Sequence, residues 1–395
     1  MRDDLIAVFM AGVARADPAR AVREALGDMP PPDAILALGK ASVAMARAAL
    51  DRFPGTHCLV VTNAENAADI PGARVMVGAH PVPDTRSLAA GEALLAQAGA
   101  LRAGQRCLVL LSGGGSALAV APAAGVTLAD KAEAARRLLG AGLDIGAMNR
   151  VRARLSRLKG GGLARAAAPA TVEALVLSDV VNGDLAAVAS GPTLPPSDGP
   201  DPAAILRDAG LWDALPPGCR AALSSPPAPV PSSDARLVGS NRLSVEAMLL
   251  AAPGTALEEE PLVGDVEEAA RRVAERARQG PGTVLWGGET VVTLRGGGRG
   301  GCNQELALRV AVALADLDRP WAFLSGGTDG RDGPTEAAGA VVDGGTLGRI
   351  AAAGLDVHAM LARNDSNPAL AASGDLLVTG GTGTNVADLQ VLRVG

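Results

Sequence analysis

The 395-residue sequence predicts an α/β protein of two domains with largely parallel or mixed sheets. Three observations predict it. Apolar runs that end in glycine turns and lead into Ala-rich helical stretches recur along the chain. The length exceeds what one core commonly serves. A Pro-rich segment at 193–235 interrupts the rhythm, which then resumes, so the domains are drawn at 1–235 and 236–395, with the Pro-rich segment an internal linker or a long surface connection.

The opening MRDDLIAVFMAGVARADPAR fits an amphipathic helix better than a signal peptide. DAILALGKASVAMARAAL gives a strand at about 33–38, a turn at Gly39–Lys40 and a helix; CLVVTN gives a second strand. A proline-marked loop at His80–Asp84 leads into another helix. RCLVLLSGGGSAL at 106–118 is a strand, apolar without alternation as in a sheet covered on both faces, running into a triple glycine and a helix expected near Ser116. A long helical stretch at 128–168 is broken at Lys159–Gly162 and precedes EALVLSDVVNGD at 173–184. The rhythm returns after 235 in TVLWGGETVVTLRGGGRGGCNQELAL, WAFLSGGTDGRDGPTEAAGAVVD and DLLVTGGTGTNVADLQVLRVG. Ligands of such sheets sit beyond the carboxyl ends of the strands, where these loops fall.

Composition excludes several classes. With no Tyr, three Phe, three Trp and a net charge of −6, the chain lacks both stacking platforms and the charge for nucleic acid. No apolar run approaches a membrane span. Cys58, Cys107, Cys219 and Cys302 are scattered without CxxC spacing, so neither a disulfide framework nor a zinc site is expected, and the protein is read as cytoplasmic. Only three of the 36 basic residues are lysines, Lys40, Lys131 and Lys159. Lys131, inside ADKAEAARRLL, is read as an ordinary helical lysine.

Gly113, Gly114 and Gly115 remove the Cβ atoms that would keep a ligand off the backbone, so amides flanked by Ser112 and Ser116 suit a phosphate or carboxylate; a tight structural turn is the competing reading. Lys40, at a strand-to-helix turn, is placed to reach a phosphate, unless it is an exposed first-turn lysine. Lys159 before Gly160 reads equally as a helix stop or a phosphate contact. Ser178, Asp179, Asn182 and Asp184 crowd hard oxygen atoms that suit Mg²⁺, or form Asx turns. His80 orients a substrate or caps a turn.

In the second half, Gly296, Gly298 and Gly301 match GxGxxG, but the acidic residues about 20 positions on, Asp316 and Asp318, fall at the end of the predicted helix instead of a strand. A glycine loop over nucleotide phosphates, with Arg299 as its charge, fits as well. Thr328, Asp329, Asp332 and Thr335 gather two carboxylates for a metal or a proton, or form Asp-Gly turns. There is no GxSxG, no HExxH and no suggested Cys/His pair. Glycine loops, a few cations and oxygen-rich turns are the inventory of phosphoryl transfer.

LGKAS, AHPVPD, LSGGGSAL, LKGGGLA, SDVVNGD, ASGPT, GGET, GGCNQELAL, GGTDGRDGPTEAAGA, NDSN and TGGTGTNVADL stand in the order seen in type II glycerate kinases, which the chain resembles over nearly its whole length. The resemblance implies a Rossmann-like N-terminal domain and a MOFRL-type C-terminal domain flanking a cleft. It implies phosphorylation of D-glycerate by ATP on the 2-hydroxyl, giving 2-phosphoglycerate, with Mg²⁺.

Carried over position by position, the resemblance makes Lys40 the catalytic lysine. Ser112, Gly113, Gly114, Gly115, Ser116, Lys159, Asp179 and Asn182 become contacts to the acceptor, with its carboxylate on the amides of 112–116. Glu289, Gly298, Arg299, Gly301, Cys302, Asn303, Gln304, Glu305, Thr328 and Asp332 fall to the nucleotide, and Asp184 and Asp329 to Mg²⁺. Asp329 is first choice and Asp184 second for accepting the hydroxyl proton. The chain departs from the family at three positions: Cys302 replaces an arginine, Arg154 a histidine and Asn367 an aromatic residue, with Arg299 or Arg154 placed to compensate. The alternatives are a hydroxypyruvate reductase using NAD(P)H, and a diverged kinase or binding protein for another small hydroxy acid. The expected partners are D-glycerate and ATP; the oligomeric state is open, a homo-oligomer included.

Overall fold

The computed structural model describes residues 1–143, 145–181, 183–196 and 198–395. They form two compact units, one of Pro18–Ser178 and Asp184–Val238, the other of Met1–Asp17, Asp179–Gly183 and Gly239–Gly395. Both are α/β.

The first unit holds six strands: β1 (Ala34–Leu38), β2 (His57–Thr62), β3 (Ala73–Val77), β4 (Arg106–Leu111), β5 (Thr171–Leu177) and β6 (Asp234–Gly239). Their order is β3-β2-β1-β4-β5-β6, and the pairs from β3 to β5 are parallel. β1 is buried at every position, and its unbroken AILAL run matches a strand with helices on both faces. Strand order reverses between β1 and β4, whose last residues Leu38 and Leu111 pair in register, so the loops that follow them begin side by side.

Two sequence expectations change here. The stretch 128–168 is three helices, Leu128–Gly140, Ile145–Arg154 and Gly162–Ala167, the first opened by a capping box between Thr127 and Asp130. The Pro-rich segment is not a plain linker: prolines in the first turn start the helices Pro202–Asp208 and Pro217–Ser224. Leu206, Leu215, Cys219 and Leu223 join Leu138 and Val151 in one apolar cluster.

The second unit is built on β7 (Ala256–Leu257), β8 (Leu262–Asp265), β9 (Gly282–Val291), β10 (Trp321–Gly327), β11 (Gly339–Asp343), β12 (Leu376–Leu377) and β13 (Asp388–Val394). The order is β12-β11-β10-β13-β9-β7, with β8 also on β9. β9, β10, β11, β12 and β13 pair antiparallel, and β7 and β8 run parallel to β9. Helices Val266–Arg278 and Cys302–Ala313 cover one face over Trp286, Phe323 and Leu392.

The other face is covered by helix Asn241–Ala251 and by the N-terminal helix Arg2–Arg15, through Leu5, Phe9 and Val13. The first 17 residues therefore belong with the C-terminal body, where a boundary at 235 had placed none of them. A sheet with two apolar faces needs a cover on each, and the Leu5–Phe9–Val13 stripe supplies one. Gly12 permits the approach, since a Cβ there would stand 2.7 Å from Leu389 Cδ1. Arg2 fixes the helix start on the buried Asp375 at 2.6 Å and on Asp343 at 2.8 Å. Among the described residues no helix is long and apolar enough to cross a membrane.

Candidate active site

The loops after β1 and β4 are tied together by backbone bonds. The Lys40 amide donates to the Gly113 carbonyl at 2.9 Å, the Ala41 amide to Ser112 Oγ at 3.0 Å, and the Ser112 amide to the Leu38 carbonyl at 3.0 Å. Gly39, at φ +133°, lies so close to Ser112 that a Cβ would stand 2.5 Å from its carbonyl oxygen. Gly114 sits at φ +83°, a left-handed turn residue. Among the described residues no acceptor takes the amides of Gly113, Gly114, Gly115 or Ser116. Four consecutive free donors form an anion cradle. The helix expected at Ser116 is only the single turn Gly115–Leu118, so the donors come from the turn and not from a long helix dipole.

Lys40 lies over this turn. Its Cγ and Cε are 3.1 and 3.3 Å from where a Gly114 Cβ would be, and His80 Cδ2 is 3.4 Å from the same point. No carboxylate among the described residues pairs with the Lys40 ammonium. Partial burial, and next the Lys40 charge, lower the His80 pKa, which keeps the imidazole neutral near pH 7.

Lys159 stands elsewhere than a ligand contact would. It is 3% exposed, and its Nζ donates to the Ser116 carbonyl and to Ser190 Oγ, both at 3.1 Å. Lys131 is also more than a surface lysine: its Nζ donates to the Leu155 carbonyl at 3.2 Å, and burial, then Arg152, bring its pKa down to about 8. Asp184 accepts from the Ala186 amide at 2.9 Å in an Asx turn of the same unit. Asn182 lies outside the described residues. Arg154 is engaged on the carbonyls of Leu223 and Ser225, so it is not held ready to replace a missing arginine.

In the second unit the glycine-rich loop is closed, not open. The amides of Arg295 and Gly296 donate to Asn364 Oδ1, that of Gly298 to the Arg363 carbonyl and that of Arg299 to Asp365 Oδ1. A Cβ on Gly298 or Gly301 would strike the Arg363 carbonyl oxygen at 2.5 Å or the Asp332 carboxylate at 2.3 Å. These glycines answer to protein packing. The helix N-terminus behind them is filled as well, because Asp332 accepts from the Asn303 amide at 3.1 Å and the Gln304 amide at 2.8 Å. β13 lies between β9 and β10 and pairs antiparallel to both, so the strands on either side of the GxGxxG helix run parallel but are not the neighbours that a dinucleotide β-α-β unit requires. The side chain of Arg299 is exposed and makes no ion pair among the described residues.

Other motif residues are structural in the same way. Gln304 Nε2 donates to Asp332 and Thr335, both at 2.9 Å, and its Oε1 accepts from Asn367 at 2.7 Å. Glu305 is buried between Arg309 and Asn364. Thr328 bridges the Ala387 carbonyl and the Val386 amide. Asn303 accepts from Ser325 Oγ at 2.6 Å and bonds Asp388.

A carboxylate-rich patch remains. Burial first, then Asp179 and Asp329, raise the pKa of Glu289. Asp388, which sequence reasoning passed over, is fully enclosed and pushed up to about 8 by burial, with Asp332, Glu289 and Asp329 adding to it against the Asn303 bond. The signal for it was the strand-opening Asp in NVADL, inside a segment read as a hydroxyl and amide cluster. Cys302 faces the same charges, its thiol pushed up to about 11 by burial and next by Asp332. Asp329 Oδ1 takes the Arg331 amide at 2.9 Å. Among the described residues no three such side chains stand in metal-binding geometry.

A Rossmann-like unit with an open anion cradle beside a lysine, in one chain with a mixed-sheet unit bearing carboxylate loops, defines a two-domain α/β phosphotransferase. Residues 4–224 match a family described as a domain of unknown function, DUF4147, and residues 282–388 match the MOFRL family. A D-glycerate 2-kinase of Thermotoga maritima is 37% identical over 95% of this chain and 94% of its own. The Homo sapiens glycerate kinase is 39% identical over 82% and 74%, and an Agrobacterium vitis protein with the provisional name hydroxypyruvate reductase is 39% identical over 100% and 94%. A crystal structure of a glycerate kinase from Thermotoga maritima superposes with a TM-score of 0.93 at 34% identity, covering 100% of this chain and 99% of that one. The chain belongs to the type II glycerate kinase family, with the MOFRL domain as its C-terminal part.

Proposed function

We propose that this protein phosphorylates D-glycerate on its 2-hydroxyl, with ATP as the phosphoryl donor that kinase activity requires. The observation that carries the reading is the turn at 113–116, whose four donor amides have no acceptor, and whose neighbour Lys40 has no carboxylate partner, among the described residues. A carboxylate held there presents its neighbouring hydroxyl group to the strand ends, and Lys40 neutralises charge that develops on the transferring phosphoryl. Asp329 Oδ2 is left without a partner among the described residues, free to accept a proton.

Mg²⁺ suits the donor set. Glu289 is repelled by Asp179 and Asp329, hard oxygen donors that form no three-ligand cage among the described residues, which suits an ion that keeps several waters and shares its ligands with phosphates. When bound, it would supply further charge neutralisation. With the amides of Arg295, Gly296, Gly298 and Arg299 already engaged, Arg299 is the cation of that loop left for a nucleotide phosphate.

The test is ADP release by purified protein with MgATP and D-glycerate, with the product's phosphate position read by ³¹P NMR. Glycerate-dependent ADP and a 2-phosphate are expected. No ADP release, together with NADH oxidation on hydroxypyruvate, would establish the reductase instead.

A further inference from the structure

Among the described residues the amine of Lys159 has no carboxylate partner, although Lys159 is 3% exposed. Its hydrogen bonds run to the Ser116 carbonyl at the end of the anion cradle and to Ser190 Oγ. Ser116 Oγ and Ser190 Oγ lie 2.7 Å apart, which closes a three-membered polar cluster. On its far side the cluster meets an unusual backbone: Ala189, Ser190 and Gly191 follow one another in the left-handed region at φ 51°, 60° and 60°. Two of these are not glycine, so the turn persists only where its surroundings hold it.

The surroundings come largely from the Lys159 segment. Gly160 and Gly161 donate to the carbonyls of Ser190 and Gly191 at 3.0 and 2.8 Å. Ser156 Oγ accepts the Leu158 and Lys159 amides, both at 3.2 Å. The cradle leans on this turn, since a Cβ on Gly115 would stand 2.7 Å from Ala189 Cβ.

We infer that Lys159 is a positioning residue for phosphoryl acceptance: its amine locks the cradle turn at Ser116 to the strained turn at Ser190, and so holds the free amides of 113–116 in the arrangement that takes an acceptor carboxylate. It acts through the turn and does not itself touch the acceptor. An anion in the cradle, one layer in front of the amine, favours its protonated form. Burial, then Arg152 and Lys131, hold its pKa well below that of an ordinary lysine, and an anion in the cradle offsets that strain. The identity of the acceptor rests on the proposed function; the locking of the turn does not.

The experiment combines kinetics with hydrogen exchange on Lys159→Met, Ser190→Ala and the double variant. Expected in each single variant is a glycerate KM raised about 10-fold or more with the ATP KM within about 2-fold, because the cradle and not the fold has loosened. The bonded amides of Ala117, Leu118 and Ala119 should exchange about 10-fold faster while β1 keeps its protection. The losses in the double variant should fall short of the sum of the single ones, since both variants remove the Lys159–Ser190 bond.

Additive losses in the double variant would show that Lys159 meets the acceptor directly and would overturn the inference. Unchanged glycerate KM and exchange in Lys159→Met would overturn it too, as would equal rises in both KM values with loss of protection throughout. If Lys159→Met does not fold, Ser190→Ala alone decides, on the same KM split and exchange. A wild-type chain inactive on glycerate, in which the variants still speed exchange at 117–119, sinks the proposed substrate and leaves the positioning role supported.

Discussion

The backbone amide of Lys40 donates to the carbonyl of Gly113 at 2.9 Å, so the lysine loop and the glycine turn are one rigid piece although 73 positions separate the two residues. The bond turns the Gly113 carbonyl toward Lys40, while the amides from Gly113 to Ser116 remain without acceptors among the described residues. Removing what stands on either side should therefore affect chemistry and stability separately.

Lys40→Ala should lower kcat about 10²–10³-fold, the usual effect of deleting one positioned charge or donor at a developing anion. The loop is held through the Lys40 backbone, so stability should change by no more than about 0.5 kcal/mol. Coupled ADP release and urea unfolding measure the two.

Gly114→Ala should cost about 1–2 kcal/mol for a left-handed backbone at φ +83°. It should also raise the glycerate KM, because the new Cβ sits 3.1 Å from Lys40 Cγ and 3.4 Å from His80 Cδ2. Gly125→Ala, at φ +74° with open space around it, is the control: a similar loss in unfolding midpoint with the KM unchanged.

Asp388 should give the protein an alkaline weakness. Its folded pKa of about 8 lies above the value near 4 of an unfolded aspartate, so between those values only the folded state keeps the proton. Stability then falls as pH rises from about 4 to about 8, and levels beyond. Asp388→Asn should flatten that slope in thermal melts between pH 5 and 9 and raise the melting temperature at pH 9. Cys302→Arg should lower the upper inflection instead, by placing a cation among Asp332, Asp388 and Glu289. A slope unchanged in both variants would remove Asp388 as its source.

Cys302 is half-buried yet should be slow to alkylate. With its thiol pushed up to about 11 from an ordinary 9.0, the thiolate fraction at pH 8 is about 100-fold lower than that of a model thiol. Iodoacetamide labelling followed by peptide mass analysis should show that deficit, and Asp332→Asn should narrow it.

The sequence by itself determined the α/β class, because strands covered on both faces have to be unbroken apolar runs such as Leu108–Leu111, and glycine turns have to follow them. It also determined the cradle, since three consecutive glycines between serines mark amides kept clear of side chains. The family was legible because its motifs keep their order. What only the tertiary structure decided is which polar residues face a ligand and which face the protein. Asp332, Gln304, Glu305 and Thr328 have the composition of a nucleotide site, yet each is engaged by its own chain, and Gly296 and Gly298 make room for Arg363 and Asn364. The same holds for the N-terminal helix, whose apolar stripe said that it would be covered but not by which sheet. Residue type and spacing carry the tendency to bond or to bury; the partner is fixed by packing between segments distant in sequence, and local pattern holds no record of that.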